Sequence, residues 1–361
     1  METQAYQLLG VERRKVLTWS VIISILAVAF SCKNSSTTTQ NSSEIHGETQ
    51  GTTYTIILAE EGEEISKKQI DSIFANFDSS LSTYVSESTV TLINNSKDSI
   101  SIQDEFHFFK DCYRLSAHVY DLTDGNFDPS VFPLVKAWGF MNNMDSPLNE
   151  QQVDSIIQFV SFEKGNLHSV LFQGTEIRFT KKHPNFMLDF NAIAQGQSID
   201  VIAEYLDSKG YSNYYVEVGG ELKVKGKNRE GINWQIGIDV PEENLTSREV
   251  ENILSISDKA VATSGNYRKF YVKNGIKYAH TLNPKTGFPV QHSLLSVTVV
   301  ADNCAKADAY ATAFMVMGKE ATLEFVENHP KEELEVYLLS AGEENAIVRD
   351  MSKNFSDYLL E

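Results

Sequence analysis

The stretch YYVEVGGELKVK (residues 214–225) reads as two short strands, Tyr214 to Val218 and Glu221 to Lys225, on either side of a tight turn at Gly219-Gly220. A third strand follows. Trp234, Ile236, Ile238 and Val240 alternate as a half-buried strand does, and Pro241 ends the run. Upstream, Thr52 to Leu58 is a β-rich segment after the turn residue Gly51. Ile70, Ile73, Phe74, Phe77 and Leu81 then keep helical spacing. A second helix is expected from Phe106 to Leu122, stopped at Asp124-Gly125. Phe186 to Phe190 reads as a short apolar strand. Asn191 can cap the helix after it, whose apolar stripe is Ile199, Ile202, Ala203 and Leu206 and whose end is Lys209-Gly210. Downstream, Phe270 to Lys273 and Ile276 to Leu282 flank Asn274-Gly275, a strong hairpin signal. Leu295 to Ala301 leads into a helix capped by Asp302 or Asn303 and closed at Gly318. A further helix, a strand over Leu334 to Leu339 and a last hairpin complete the chain. Hairpins and helices interleave with no regular βαβ rhythm, so the expected fold class is α+β.

The 361 residues, 42% of them hydrophobic, suffice for a sizeable core. No repeat or second linker interrupts Glu44 to Glu361, which is read as one catalytic domain (44–361). A formal net charge of −18 argues against nucleic acid as a partner, because nucleic-acid binders present a basic face. It does not exclude an anionic ligand held by backbone N–H groups or by a bound cation. Three cysteines supply neither a zinc spacing nor a disulfide framework. Cys112 and Cys304 read as small core residues.

Arg13, Arg14 and Lys15 precede an apolar run from Val16 to Phe30, the length of a signal-peptide core and short for a membrane span. The run ends at Ala29-Phe30-Ser31-Cys32, and a polar tract from Lys33 to Ser43 follows that cannot bury a core. A small residue before a cysteine and then a tether resembles the lipobox of bacterial lipoproteins, although leucine is commoner than Ala29 at its place. The expected division is a signal peptide over 1–31, then lipidated Cys32 and a tether over 32–43. The competing readings are an uncleaved anchor and an ordinary signal peptide.

Asp308 and Thr312 lie four residues apart on a helix and so share a face. One carboxylate and one hydroxyl suit a hard cation such as Mg²⁺, which takes oxygen ligands and keeps places open for phosphate. The strand-to-helix junction Asn191-Ala192-Ile193-Ala194-Gln195-Gly196 can take a phosphate on free N–H groups and a cation on a carbonyl, or be a plain capped helix. Thr263-Ser264-Gly265-Asn266-Tyr267 can let a ring lie against backbone, or be a turn. His280, with Asn283-Pro284-Lys285-Thr286-Gly287, can contact phosphate or move a proton near neutral pH, or be structural. Asp124 to Ser130 and Trp138-Gly139-Phe140 bracket an aromatic segment, and Glu217-Val218-Gly219-Gly220-Glu221 sets two carboxylates about a turn. No GxxxxGK[ST] loop, GxSxG elbow or HExxH helix occurs, so nucleotide-hydrolase, esterase and zincin readings lack support.

In chain order these segments resemble the ApbE family, the FAD:protein FMN transferases. The matching pieces are Gly51 to Tyr54, Leu81 to Tyr84, Asp124 to Pro129, Trp138 to Phe140, Asp189 to Gly196, Gly219-Gly220, Thr263 to Tyr267, His280 with Asn283 to Gly287, and Ala307 to Ala313. They cover almost the whole chain after the tether. The resemblance implies a Mg²⁺-dependent enzyme that attaches FMN from FAD to a Thr or Ser of a partner protein and releases AMP. Expected partners are flavin-carrying subunits of membrane redox complexes, with the enzyme lipid-anchored in the bacterial cell envelope and facing the periplasm. Carried over, Asp308 and Thr312 would hold Mg²⁺ by side chains and Ala194 by its carbonyl. Tyr84, Asp128, Thr263, Ser264, Gly265 and Tyr267 would contact FAD. His280 and Thr286 would lie near the phosphates, with His280 as base for the acceptor hydroxyl. This chain departs from the family at Gln195, where Lys is frequent, at Asn283, where Asp is, and at Glu221, where Asn is. A Mg²⁺-dependent FAD pyrophosphatase and a non-enzymatic lipid-anchored flavin-binding protein are the alternatives.

Overall fold

The computed structural model describes residues 43–139, 147–163, 165–240, 250–266, 270–273, 276–279, 281–343 and 346–360. The chain opens with a hairpin of β1 (Ser43–Thr49) and β2 (Thr52–Leu58). Gln50 and Gly51 between them both have positive φ, 52° and 75°, the backbone that a two-residue turn of this hand requires. Next come α1 (Lys67–Leu81), α2 (Thr89–Asn95), β3 (Ser99–Gln103), α3 (Phe108–Leu122), α4 (Phe132–Trp138) and α5 (Glu150–Ile157). A hairpin of β4 (His168–Gln173) and β5 (Glu176–Lys181) leads to α6 (Ala194–Ser208), then β6 (Tyr214–Val218) and β7 (Glu221–Lys225). β8 (Trp234–Asp239), β9 (Val250–Ile256), β10 (Lys259–Gly265), β11 (Phe270–Lys273), β12 (Ile276–Ala279) and β13 (Leu294–Ala301) follow. The chain closes with α7 (Cys304–Met317), α8 (Lys319–Asn328), β14 (Glu335–Ala341) and β15 (Ile347–Met351).

Eight strands form one sheet in the order β1-β2-β6-β7-β10-β13-β14-β15. Every adjacent pair in it is antiparallel. With helices set between its strands, the architecture is α+β. Alternation assigns the two faces. Tyr54, Ile56 and Leu58 of β2, Tyr214, Val216 and Val218 of β6, and Val297 and Val299 of β13 join the cores shared with α1, α6 and α7. Leu222, Val224, Val261, Val300, Tyr337 and Leu339 face the other way, under the β8–β9 hairpin and Phe355. Burial on both faces is why LLSVTVVA of β13 reads as an almost unbroken apolar run. A separate small sheet, β3-β5-β4, shares a core with α3 and α7.

Three local expectations are corrected. Residues 186–190 belong to no strand. The buried Asn94 amide takes a strand's place there, accepting from Leu188 N at 2.7 Å and donating to Leu188 O at 2.8 Å. Asn191 does not cap α6. That helix starts at Ala194 after Ile193, with no side-chain cap, and the Asn191 N–H instead donates to Asp189 Oδ1 at 2.8 Å. The second expected helix begins at Phe108, two residues late, because His107 is left-handed at φ 61°. Among the described residues no helix is long and apolar enough to cross a membrane. The run from Val16 to Phe30 and Cys32 lie outside those residues.

Candidate active site

The starts of helices α6 and α7 meet. A Cβ on Gly196, in the first turn of α6, would lie 2.3 Å from Cys304 O, so only glycine lets α6 approach the start of α7 this closely. Asp200, one turn further along α6, fastens the contact. Its carboxylate accepts from Cys304 N at 3.0 Å and Ala305 N at 2.9 Å, and Lys223 Nζ of β7 reaches it at 2.8 Å. Asn303 supplies the ordinary cap of α7, accepting from Lys306 N at 2.9 Å.

This crossing places Asp308. Its carboxylate is buried, and Oδ2 accepts from Gly196 N at 3.1 Å. Burial first and the charge of Glu221 second push its acidity well above the usual carboxylate range, against the single N–H from Gly196. Thr312, one turn on, puts Oγ1 3.4 Å from Ser264 Oγ of β10. The neighbouring Thr263 Oγ1 lies 2.9 Å from Thr298 Oγ1, its register partner in β13.

Asp308 and Thr312 lie on the wall of an open cleft of about 1920 Å³. Thr263, Ser264, Gly265, Asp128 and Tyr84 line the same cleft, so the structure brings most of the expected site residues together. Tyr84 is 72% exposed there. Asp128 is buried, with Oδ1 accepting from Ser130 N at 2.7 Å and Ser130 Oγ at 2.5 Å. Burial pushes its pKa up to about 6, opposed by those hydrogen bonds. Asp189 also lines the cleft and is also pushed up to about 6 by burial. Its N–H donates to Pro129 O at 2.7 Å, which couples the two acidic segments. Ala194 is buried at the first position of α6, next to Gln195, which lines the cleft and lies where a Cβ on Gly219 would meet its Nε2 at 2.6 Å.

The segment after β12 is held from several sides. Asn283 Oδ1 accepts from Lys285 N at 2.9 Å and Thr286 N at 3.2 Å, a turn that either Asn or Asp can make, so this departure from the family costs no local structure. Trp138 Nε1 donates to Gly287 O at 2.7 Å, and Lys285 pairs with Asp124 at 2.7 Å. Thr281, Leu282 and Pro284 line the cleft. Thr286 is not among its lining residues; its hydroxyl accepts from Phe288 N at 3.3 Å. Tyr267 and His280 lie outside the described residues. Asp189, Gln195 and the whole of β8 are cleft residues that reading the sequence did not single out as ligands. Asp189 opens the very motif that carries Ala194, and its position was the available signal.

Among the described residues no group of three His, Cys, Asp or Glu side chains forms a ready metal site. The donors here are of another kind: one buried carboxylate with a second near enough to raise its pKa, and a hydroxyl one helical turn away. A cation beside the buried Asp308 and the half-buried Glu221 would favour the ionised carboxylate that burial opposes. So few protein oxygens fit a hard ion, such as Mg²⁺, that takes its other places from water and phosphate.

The fold is that of one family: the model of the ApbE family matches residues 50–338, and the chain belongs to that family. It is 33% identical over 319 residues to the FAD:protein FMN transferase of Vibrio cholerae, covering 84% of this chain and 88% of the relative. The FAD:protein FMN transferase of Haemophilus influenzae is 32% identical, with 85% and 89% covered. Among solved structures, the flavin transferase ApbE from Vibrio cholerae superposes with a TM-score of 0.76 at 29% identity, over 88% of this chain and 99% of that one.

Proposed function

We propose that this protein transfers FMN from FAD to a Thr or Ser hydroxyl of a partner protein, releasing AMP, with Mg²⁺ as its cofactor. The observation that carries the reading is the buried Asp308, set by Gly196 at 3.1 Å with Thr312 one turn on, beside a cleft of about 1920 Å³. Drug-sized ligands fill about 300–1,000 Å³, so a dinucleotide has room. Relatives that carry the transferase name at 33% and 32% identity support it.

In this reading Asp308 and Thr312 hold Mg²⁺ through side chains, and Ala194 through its carbonyl. When bound, the ion neutralises charge on the pyrophosphate and on the departing AMP. Thr263, Ser264, Gly265 and Tyr267 lie along the flavin, with Tyr84 and Asp128 as further contacts. His280 serves the phosphates, and Thr286, which stands outside the lining of the cleft, would have to turn its hydroxyl from Phe288 N to join it. The acceptor hydroxyl oxygen bonds to the FMN phosphorus, the pyrophosphate P–O bond breaks, AMP leaves with that electron pair, and His280 takes the hydroxyl proton. A lipid anchor at Cys32 would hold the enzyme in the bacterial cell envelope, facing the periplasm, where flavin-carrying subunits of membrane redox complexes are its partners.

The test is AMP release from FAD by the full chain in detergent, with Mg²⁺ or EDTA, and with or without a Thr-containing acceptor domain. Mg²⁺-dependent AMP with a flavin-fluorescent acceptor band on a denaturing gel is the expected result. AMP with no labelled acceptor would favour a pyrophosphatase, and FAD bound with no AMP would leave a flavin-binding protein.

A further inference from the structure

Transfer to a protein requires that a segment of that protein enter the cleft, and β8 offers a place for it. Side chains alternate along a strand, so a wall built of side chains takes every second residue. Yet every residue of β8, from Trp234 to Asp239, lines the cleft, which is the pattern of a strand presenting its backbone edge. β8 pairs with β9 on one side only, and among the described residues no strand pairs with its other edge. The outer edge of β9, by contrast, is occupied: Leu254 bridges to Leu359, and Leu360 N donates to Ile253 O at 2.8 Å.

Open strand edges invite pairing with another chain and are normally blunted by charge. The two edge strands of the main sheet follow that rule, with Glu44, His46 and Glu48 in β1 and Arg349 and Asp350 in β15. WQIGID of β8 carries one charge, at its last position. Its apolar side chains Trp234 and Ile238 are buried against the main sheet, which holds the strand in place while, among the described residues, no strand covers its second edge. The cleft of about 1920 Å³ also exceeds what a single ligand of ordinary size fills, about 300–1,000 Å³.

We infer that the flavin-accepting segment docks in extended form as an added strand on the cleft-facing edge of β8. Main-chain hydrogen bonds then supply affinity with little demand on sequence, and alternate side chains of the segment, its Thr or Ser among them, face into the cleft that Asp308 also lines. This rests on the transferase reading and deepens it by naming how the acceptor is held.

The experiment uses the full chain in detergent, FAD, Mg²⁺, and a synthetic library of 12-residue peptides with a fixed central Thr. Peptides that acquire flavin are recovered and resynthesised with a single N-methyl group at each backbone position in turn. Added-strand docking expects a period-two pattern: alternate N-methyl groups raise the peptide KM about tenfold or more, because each removes a donor and blocks the edge. The intervening ones leave it unchanged, and AMP release without peptide stays constant throughout. Hydrogen exchange at residues 234–239 should slow when a labelled peptide is bound. An aperiodic scan, no slowing at β8, or AMP formation with no peptide ever labelled would each overturn the inference. Absence of AMP under all conditions would instead defeat the transferase reading on which it stands.

Discussion

Gly196 and Asp308 stand 112 residues apart in the chain and meet through one 3.1 Å hydrogen bond from the Gly196 N–H to Asp308 Oδ2. The glycine does two things there. It supplies the donor, and its missing side chain lets α6 sit against the backbone of Cys304 and Ala305.

Gly196→Ala should therefore cost stability and activity together. The new Cβ meets backbone atoms at 2.3 and 2.6 Å, which cannot swing aside as a flexible side chain would. A loss of about 1–3 kcal/mol is expected from such overpacking, measured by urea unfolding. Unchanged stability with full turnover would show that the two helices are not held this tightly.

Asp308→Asn keeps the shape and removes the charge. Mg²⁺ should raise the melting temperature of the parent, since a ligand that binds only the folded state stabilises it by mass action. The variant should show no such rise and should release little AMP. Equal Mg²⁺ shifts in both proteins would place the ion elsewhere.

Asp189→Asn tests the second acidic position by pH. Burial lifts the Asp189 pKa from 3.8 to about 6, so between those values the folded chain holds a proton that the unfolded chain has lost. Its contribution to stability therefore falls as pH rises through that window, and the full penalty is present above pH 6. Removing the charge should stabilise the protein at pH 8 by up to about 3 kcal/mol and have little effect below pH 4. Fluorescence-monitored denaturation at the two pH values reads the difference.

His168 works in the opposite sense, far from the cleft. It is fully buried, stacks on Phe179 and Phe186, and shares a 2.7 Å hydrogen bond with Tyr113. Burial, helped by the charge of Lys182, lowers its pKa from 6.5 to about 4. The unfolded chain then takes up a proton that the folded chain refuses, so stability from this group is lost as pH falls from 6.5 to 4. His168→Phe should remove about 3 kcal/mol of that pH dependence, whatever it does to stability at pH 8. Parallel pH profiles for variant and parent would refute the assignment.

Much of this could be read before any coordinates. Strands β6, β7 and β8 announce themselves by alternation between glycine or proline stops, whereas helical spacing puts Asp308 and Thr312 on one face and only the resemblance of the surrounding motifs suggests a role for them. The small β3-β5-β4 sheet was not legible, because SISIQ alternates apolar with small polar residues too weakly to stand out. The stretch at residues 186–190 reads as a strand because four of its five residues are apolar. Its partner is the side chain of Asn94, and no pattern in either segment signals that pairing. Gly196 shows as a glycine after a helix start, but the reason for it lies in Cys304, a contact set only by tertiary structure. The turn at Asn283 is the converse case: its chemistry is wholly local and survives the exchange of Asp for Asn.

The strand order also dictates when the protein can be finished. β2 has β1 beside it at once, but its other neighbour is β6, and the Glu60 and Asn213 side chains that join the ends of β2 and β6 are 153 residues apart. During synthesis the first hairpin must wait, one edge bare, while about half of the domain follows it from the ribosome. Chains stopped before Tyr214 should then self-associate rather than persist as a folded half, which sedimentation of such fragments can decide.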